Sequence, residues 1–341
     1  MSGNGGEGAD LRLPFTEVYG VVRAATERLG ITGVRGDRCA RLFTEATRDG
    51  VYSHGVERFP TFARNVADGL VDVTAEPRRV SAGGAVERWD GRRGPGNLNA
   101  WSAMDRALEL AREHGVGAVA LGNTNHWMRG GSYGWQAAEA GFLAMCWSNT
   151  LPNTSAAGEP PVVGNNPFVL ALPRTAGPVV LDMALSQFAV GVMAGYAARG
   201  ERLPLPGGFT AAGELTDDPA AIVDGGHGAA IGRWKGFALA VALDAWAAML
   251  SGGRATHELG RDPARETGQT QFFLAVDPSA VGDRAEQEQM VDTVVAAVKA
   301  ADTAGEELRY PGEGTVRTRR ENLEHGLPVR RETWEALRAL G

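Results

Sequence analysis

The chain has 341 residues, with 41 acidic and 34 basic side chains and a formal net charge of −7. This acidic balance disfavours a nucleic-acid partner, because phosphate backbones require a basic face. The longest apolar stretch, residues 236–250, is too short to span a bilayer and contains Asp244, so it predicts a buried helix and no membrane partner. Cys39 and Cys146 are not spaced like metal ligands, and the first residues lack a secretory signal, so we expect reduced thiols in a cytoplasmic protein.

The N-terminal part of the chain predicts a tail followed by two helices. Residues 1–10 are expected to be disordered. Apolar residues then recur at helical spacing over 16–29, and Gly30 is a typical helix end. A second helix is predicted over about 36–48, and the dipeptide Asp49-Gly50 that follows it predicts a turn.

The middle of the chain alternates helices and strands. Helices predicted at 100–114 and 132–141 alternate with strands at 116–123 and 142–149, which is a β-α-β rhythm. The pattern predicts the α/β class, with helical segments at both ends. The remaining predicted elements are strands at 167–173, 178–184 and 271–276, helices near 186–199, 236–250, 283–301 and 332–340, and a loop over 200–233.

The stretch "VYSHGVERFP", residues 51–60, holds the first candidate for chemistry. The imidazole of His54 can donate and accept a proton near neutral pH. Arg58 follows at helical i+4 spacing, so on a helix both side chains would share one face, where the guanidinium can hold a carboxylate through two hydrogen bonds. Together they suit a substrate whose carboxylate lies beside a carbonyl. The alternative is a histidine that caps or packs at a helix start.

The stretch "NTNHWMRGGSYGW", residues 123–135, lies between a predicted strand and a predicted helix. Asn125 and His126 would therefore lie at the carboxyl end of a strand, where α/β sheets usually bind ligands. Arg129 and the Gly130–Gly131 pair would let backbone amides approach an anion at the helix start. The alternative is a polar turn without a ligand.

Two shorter motifs are weaker. In "GRWKGFAL", residues 232–239, Lys235 can meet a phosphate or a ribose, or it is simply an exposed lysine in a first helical turn. In "YPGEG", residues 310–314, Glu313 can accept hydrogen bonds from sugar hydroxyls, or the motif is only a turn. A metal site at the histidines, as in a lyase or hydrolase, is the competing interpretation. We expect no metal, because no H-x-x-x-H, C-x-x-C or H-E-x-x-H motif is present.

Six motifs, in order over residues 15–340, together resemble the type-2 malate/L-lactate dehydrogenase family. Each is weak alone, but their shared order is hard to explain by chance. They are "SHGVER" (53–58), "TNH" (124–126), "GNNP" (164–167), "LDMALS" (181–186), "WKG" (234–236) and "PGE" (311–313).

The resemblance implies a non-Rossmann NAD(P)-dependent oxidoreductase fold, with a mixed sheet core and helical N- and C-terminal segments. We expect residues 11–80 and 310–341 to form a helical substrate-side domain and residues 81–309 to form an α/β cofactor-binding region. Members of the family are homodimers with the cofactor site near the subunit interface, so a homodimer is expected here.

The resemblance also implies roles for individual residues. His54 would be the proton donor, Arg58 and His126 would bind the substrate, and NADH would be the cofactor, with NADPH possible. The residues that match the family's cofactor-contacting segments are Pro178, Val179, Val180, Leu181, Asp182, Met183, Ala184, Trp234, Lys235, Gly312, Glu313 and Gly314.

The expected reaction is reduction of the C2 carbonyl of a 2-oxo acid. Within the family, the long, tryptophan-rich second motif most resembles members that act on sugar acids, and this resemblance implies a 2-oxo sugar acid as the small-molecule substrate. The motifs leave open a sibling activity on malate, lactate, sulfolactate, ureidoglycolate or a cyclic imine acid, because these acids would use the same histidine. Non-catalytic binding of a sugar acid also remains open.

Overall fold

The computed structural model describes residues 11–301 and 308–341, so the expected disordered tail, residues 1–10, lies outside the described residues. Helices and strands are numbered here in chain order. The strands are β1 Leu11–Leu13, β2 Arg78–Gly83, β3 Val86–Asp90, β4 Val116–Thr124, β5 Leu143–Ser148, β6 Thr154–Ser155, β7 Phe168–Leu172, β8 Val179–Met183, β9 Gly208–Phe209, β10 Leu215–Thr216, β11 His227–Ala229, β12 Gln269–Val276 and β13 Leu327–Val329. The helices are α1 Phe15–Arg28, α2 Gly33–Arg48, α3 Phe59–Ala67, α4 Gly96–His114, α5 Gly131–Glu139, α6 Val190–Ala198, α7 Pro219–Val223, α8 Trp234–Ser251, α9 Arg284–Ala300, α10 Glu313–His325 and α11 Arg331–Leu340.

A seven-stranded sheet in the order β2-β3-β4-β12-β5-β7-β8 forms the centre of the molecule. The pair β3–β4 is parallel and the other neighbours are antiparallel, so the predicted mixed sheet is confirmed. Successive side chains of β4 point to opposite faces of the sheet, and both faces are covered by apolar clusters. Val119 and Leu121 pack in the cluster that contains α4, whereas Ala118 and Ala120 pack in the cluster that contains α8.

The two ends of the chain meet in a separate apolar cluster. Strand β1 pairs antiparallel with β13, and side chains from α1, α2, α3 and α11 pack together beside them. The prediction of helical segments at both ends is confirmed, although three-residue strands are too short to be seen in a sequence pattern. The same cluster also contains Leu98 and Met128 from the middle of the chain, and β2 crosses residue 80. The division into residues 11–80 with 310–341 and residues 81–309 therefore stays a prediction.

The prediction of a buried helix over 236–250 is wrong for the single chain. One side of α8 packs on the sheet, but the opposite side leaves Trp234, Trp246 and Met249 exposed by 69, 49 and 75 %. A helix that is apolar on all sides is expected to be buried, but its sequence does not indicate which surface covers each side. No helix in residues 11–301 and 308–341 is long and apolar enough to cross a membrane.

The prediction of an unstructured loop over 200–233 is also wrong. The segment contains β9, β10, β11 and the short helix α7, and its strands join β6 in a small four-stranded sheet. Two- and three-residue strands carry too little alternation to be recognised. Strand β11 also pairs with residues 154 and 155 of β6, which are distant in sequence.

Candidate active site

A cavity of about 500 Å³ opens between the N-terminal segment and the carboxyl ends of β4 and β8. We call it the histidine cavity because His54 and His126 both line it, together with Arg129 and Asp182. The two imidazole rings are nearly parallel, with centroids 5.6 Å apart. The structure therefore brings the two sequence-predicted histidines into one site.

His54 is carried by two short 3₁₀ turns, Tyr52–His54 and Val56–Arg58, that meet at Gly55. The expectation that His54 and Arg58 share one helix face is therefore wrong. A Cβ at Gly55 would overlap the hydroxyl of Thr47 and lie 2.8 Å from its backbone nitrogen. Thr47 Oγ1 in turn accepts a hydrogen bond of 2.9 Å from the Val56 N–H. Close packing on α2 thus requires the glycine of the S-H-G motif and breaks the helix.

The imidazole of His54 lies among charged groups. Its Nδ1 is 2.9 Å from Ser53 Oγ. Burial lowers the pKa of His54 below its usual value, and Arg58 and Arg129 lower it further, while the carboxylate of Asp182 opposes them. A histidine in this environment releases its proton readily, which suits a proton donor to a developing alkoxide.

His126 has a different environment. Its Nδ1 accepts a hydrogen bond of 3.0 Å from the backbone N–H of Met128, which has a left-handed φ of 66°. Burial, with the charges of Arg58 and His54, holds the pKa of His126 well below its usual value. Both observations favour a neutral ring with its proton on Nε2, which leaves the Nε2–H available as a hydrogen-bond donor.

Asp182, at the carboxyl end of β8, accepts a hydrogen bond of 2.8 Å from the Gly131 N–H. The expectation that the Gly131 N–H would approach a bound anion is therefore wrong, because that N–H already donates to the carboxylate of Asp182. A Cβ at Gly131 would lie 2.7 Å from Asp182 Oδ2, which explains the glycine. Asp182 was expected to contact the cofactor. No local pattern indicated that its charge would also act on His54.

Arg58 is not among the residues that line the histidine cavity. Its guanidinium lies 3.9 Å from the carboxyl of Glu266. Burial raises the pKa of Glu266, although the charge of Arg58 opposes this rise. Arg58 nevertheless lies close enough to lower the pKa of both cavity histidines. Sequence reasoning missed Glu266, because no local pattern marks a carboxyl that meets Arg58 across more than two hundred residues.

The structure brings two of the expected cofactor segments together. The Val180 N–H donates a hydrogen bond of 2.9 Å to Pro311 O, which joins residues 178–184 to residues 311–314. Gly312 has a φ of 94°, and a Cβ there would lie 3.1 Å from the Val180 nitrogen. A second cavity of about 220 Å³, the side cavity, lies between these segments and shares Arg129 and Asp182 with the histidine cavity. The side cavity thus combines apolar side chains with the charged groups of Arg129 and Asp182.

Other expected cofactor residues lie elsewhere. Trp234 and Lys235 begin α8 and line neither cavity. A short backbone link, in which the Ile231 N–H donates to Leu185 O at 2.8 Å, connects their loop to the end of β8. The carboxylate of Glu313 pairs with Lys299 at 3.0 Å, so part of its capacity to accept sugar hydroxyls is already used.

Among residues 11–301 and 308–341, no group of three or more histidine, cysteine or carboxylate side chains is arranged to hold a metal ion. Within the same part of the chain, both cysteines are buried free thiols.

The chain matches the malate/L-lactate dehydrogenase family over residues 13–338. It is 39 % identical over 334 residues to a 2,3-diketo-L-gulonate reductase from Citrobacter koseri, covering 97 % of this chain and 100 % of the relative. A 2,3-diketo-L-gulonate reductase from Salmonella newport is 37 % identical with the same coverage.

Among solved structures, the Δ1-piperideine-2-carboxylate reductase from Pseudomonas syringae pvar. tomato superposes with a TM-score of 0.86 at 28 % identity. The superposition covers 97 % of this chain and 100 % of that one. The sulfolactate dehydrogenase from Methanocaldococcus jannaschii shares the fold, with a TM-score of 0.90 at 24 % identity and coverage of 97 and 96 % of the two chains. Motif order, fold and near-complete coverage agree, and the chain belongs to the malate/L-lactate dehydrogenase family of oxidoreductases.

Proposed function

We propose that the protein reduces the C2 carbonyl of a 2-oxo sugar acid, 2,3-diketo-L-gulonate, to 3-dehydro-L-gulonate, with NADH as cofactor and NADPH as the alternative. The observation that carries the proposal is the pair of facing histidines, one able to exchange a proton and one fixed as a neutral donor, in a cavity beside residues 178–184 and 311–314. Relatives of 37–39 % identity over nearly the whole chain support the choice of substrate.

His54 is the proton donor in this proposal. Its Nδ1 is directed to Ser53 Oγ, which leaves Nε2 to give a proton to the oxygen on C2. Residues 178–184 and 311–314 would hold the nicotinamide cofactor, which would supply the hydride when bound. Asp182 stabilises the protonated imidazole, since its charge raises the pKa of His54.

Two further side chains hold the substrate. The Nε2–H of His126 donates a hydrogen bond to an oxygen of the substrate, and its neutral state keeps it from competing as an acid. Arg58 binds the carboxylate. Its 3.9 Å contact with Glu266 is long, and the raised pKa of that buried carboxyl leaves the guanidinium charge incompletely neutralised.

The exposed apolar side of α8 supports a homodimer. Trp246 and Met249 lie on it and Trp234 precedes them at the start of the helix, an arrangement that marks an interaction surface more often than a solvated one. A partner docked there would cover Trp234 and Lys235 and bring them into a shared cofactor site. Buried free thiols at Cys39 and Cys146 are in keeping with a cytoplasmic location.

The test is to follow loss of NADH and NADPH absorbance with 2,3-diketo-L-gulonate, pyruvate, oxaloacetate and a cyclic imine acid. Diketogulonate should turn over fastest. His54→Ala should lose on the order of 10² to 10⁴ in rate, the usual contribution of a general acid. His257→Ala, at an exposed histidine outside both cavities, is the matched control and should behave like wild type.

Each other outcome has a defined meaning. Faster turnover of another acid would overturn the substrate while leaving the histidine mechanism intact. A His54→Ala variant as active as wild type would overturn the mechanism whichever substrate is preferred.

A further inference from the structure

Arg129 is a buried cation that the proposed mechanism leaves without a role. It lies three residues after His126, is only 4 % exposed, and lines both the histidine cavity and the side cavity. Its Nη1 donates a hydrogen bond of 2.6 Å to Asp49 Oδ2. Its Nε–H is buried and has no acceptor within the described residues.

Asp49, the carboxylate that pairs with Arg129, is shared with two other arginines. The same carboxylate accepts two hydrogen bonds of 2.8 Å from Arg319 and one of 2.6 Å from Arg48. Burial alone would raise the pKa of Asp49, but these bonds and the charge of Arg129 hold it far below its usual value. One carboxylate thus serves three guanidiniums, and only Arg129 of the three reaches the cavities.

Arg129 lines the histidine cavity together with His54, whereas Arg58 is not part of its lining. The charge of Arg58 lowers the pKa of both histidines, whereas the charge of Arg129 acts on His54. A substrate whose C2 oxygen faces His54 keeps its next carbon inside the histidine cavity, where Arg129 is one of the lining side chains.

We propose that Arg129 binds an oxygen atom on C3 of the substrate and so selects 2-oxo acids that are oxygenated at that carbon. The inference rests on the proposed function and deepens it, because it names the feature by which this site distinguishes sugar acids from simple 2-oxo acids. A substrate without the C3 oxygen leaves a buried donor unpaired, and sites of this kind reject such analogues strongly.

Pyruvate and 3-hydroxypyruvate differ only by one oxygen on C3, so they form a matched substrate pair. In the wild-type protein with NADH, kcat/KM should favour 3-hydroxypyruvate by about 10- to 100-fold, the range that hydrogen bonds to charged groups span. Arg129→Met should remove most of this preference, mainly by lowering kcat/KM for 3-hydroxypyruvate. Arg48→Met is the control, since it removes another partner of Asp49 but lines neither cavity.

A preference that survives in Arg129→Met, or that disappears equally in Arg48→Met, would overturn the inference. Should Arg129→Met fail to fold, Arg129→Lys keeps a charge near Asp49 but lacks the Nε–H, and it should lose the preference with a normal melting temperature. Calorimetric binding of glycerate against lactate, which differ by the same oxygen, tests Arg129 without turnover. If the wild-type protein reduces none of these acids but Arg129 controls glycerate binding, the proposed function fails and the inference stands.

Discussion

The segments that carry His54 and His126 use similar residues for different purposes. Each has a histidine followed by a glycine and an arginine, and the two rings lie 5.6 Å apart. His54 meets a hydroxyl and a nearby carboxylate, so its proton can move. His126 receives a backbone N–H on Nδ1, which fixes one neutral tautomer. In the proposed mechanism, the partner of each imidazole therefore decides whether it acts as an acid or as a fixed donor.

The largest effect is expected when each of the two histidines is replaced by glutamine. His54→Gln removes the proton donor and should reduce kcat by on the order of 10² to 10⁴. Glutamine at position 126 retains an N–H donor, so His126→Gln should cost only about 10-fold, the value of one weakened hydrogen bond. In pH–rate profiles of the reduction, the decline toward high pH should persist in His126→Gln and vanish in His54→Gln. Equal losses in both variants, with both profiles flattened, would contradict the assignment of separate roles.

The two segments are also joined by one ion pair, and breaking it should affect stability. Asp49 precedes the His54 segment, and Arg129 follows His126. Asp49→Asn would remove the carboxylate that Arg48, Arg129 and Arg319 share, and we expect a loss of roughly 3 kcal/mol in the free energy of unfolding. Urea denaturation measures this, with Asp217→Asn, whose side chain pairs with Arg202 at the surface, as the control.

The pH dependence of that stability follows from the depressed pKa of Asp49. A carboxyl whose pKa is lower in the folded than in the unfolded chain contributes stability above its unfolded pKa, and this contribution is lost as the pH falls toward the folded pKa. The difference in stability between wild type and Asp49→Asn should therefore be full at neutral pH and shrink in acid. A difference that grows in acid would contradict this origin.

The sequence predicted the parts of this site that depend on local pattern. Strand β4 was readable because a run of small and apolar residues lies between two helical patterns, so Asn125 and His126 were correctly expected after a strand. The break at Gly55 was not readable, because it depends on contact with Thr47 on another helix. The tautomer of His126 was not readable either, since it depends on a left-handed backbone at Met128, a residue type that seldom adopts it.

The smallest expected effect concerns Asp182, whose charge distinguishes the environment of His54 from that of His126. Asp182→Asn keeps an acceptor for the Gly131 N–H but removes the one charge that raises the pKa of His54, so burial, Arg58 and Arg129 lower it unopposed. Reduction requires the protonated imidazole, so its rate falls as the pH rises through this pKa. The midpoint of that fall should move to lower pH in Asp182→Asn, while the rate at the acidic plateau changes little.

The reverse reaction sharpens the same test. Oxidation of the hydroxy acid requires neutral His54 as the base, so its rising limb should move to lower pH by the same interval as the falling limb of the reduction. Asp217→Asn, which removes a distant surface carboxylate, should leave both limbs in place. If only one limb moves, Asp182 acts on cofactor or substrate binding and not on the proton of His54, because a change in one ionisation must shift both directions together.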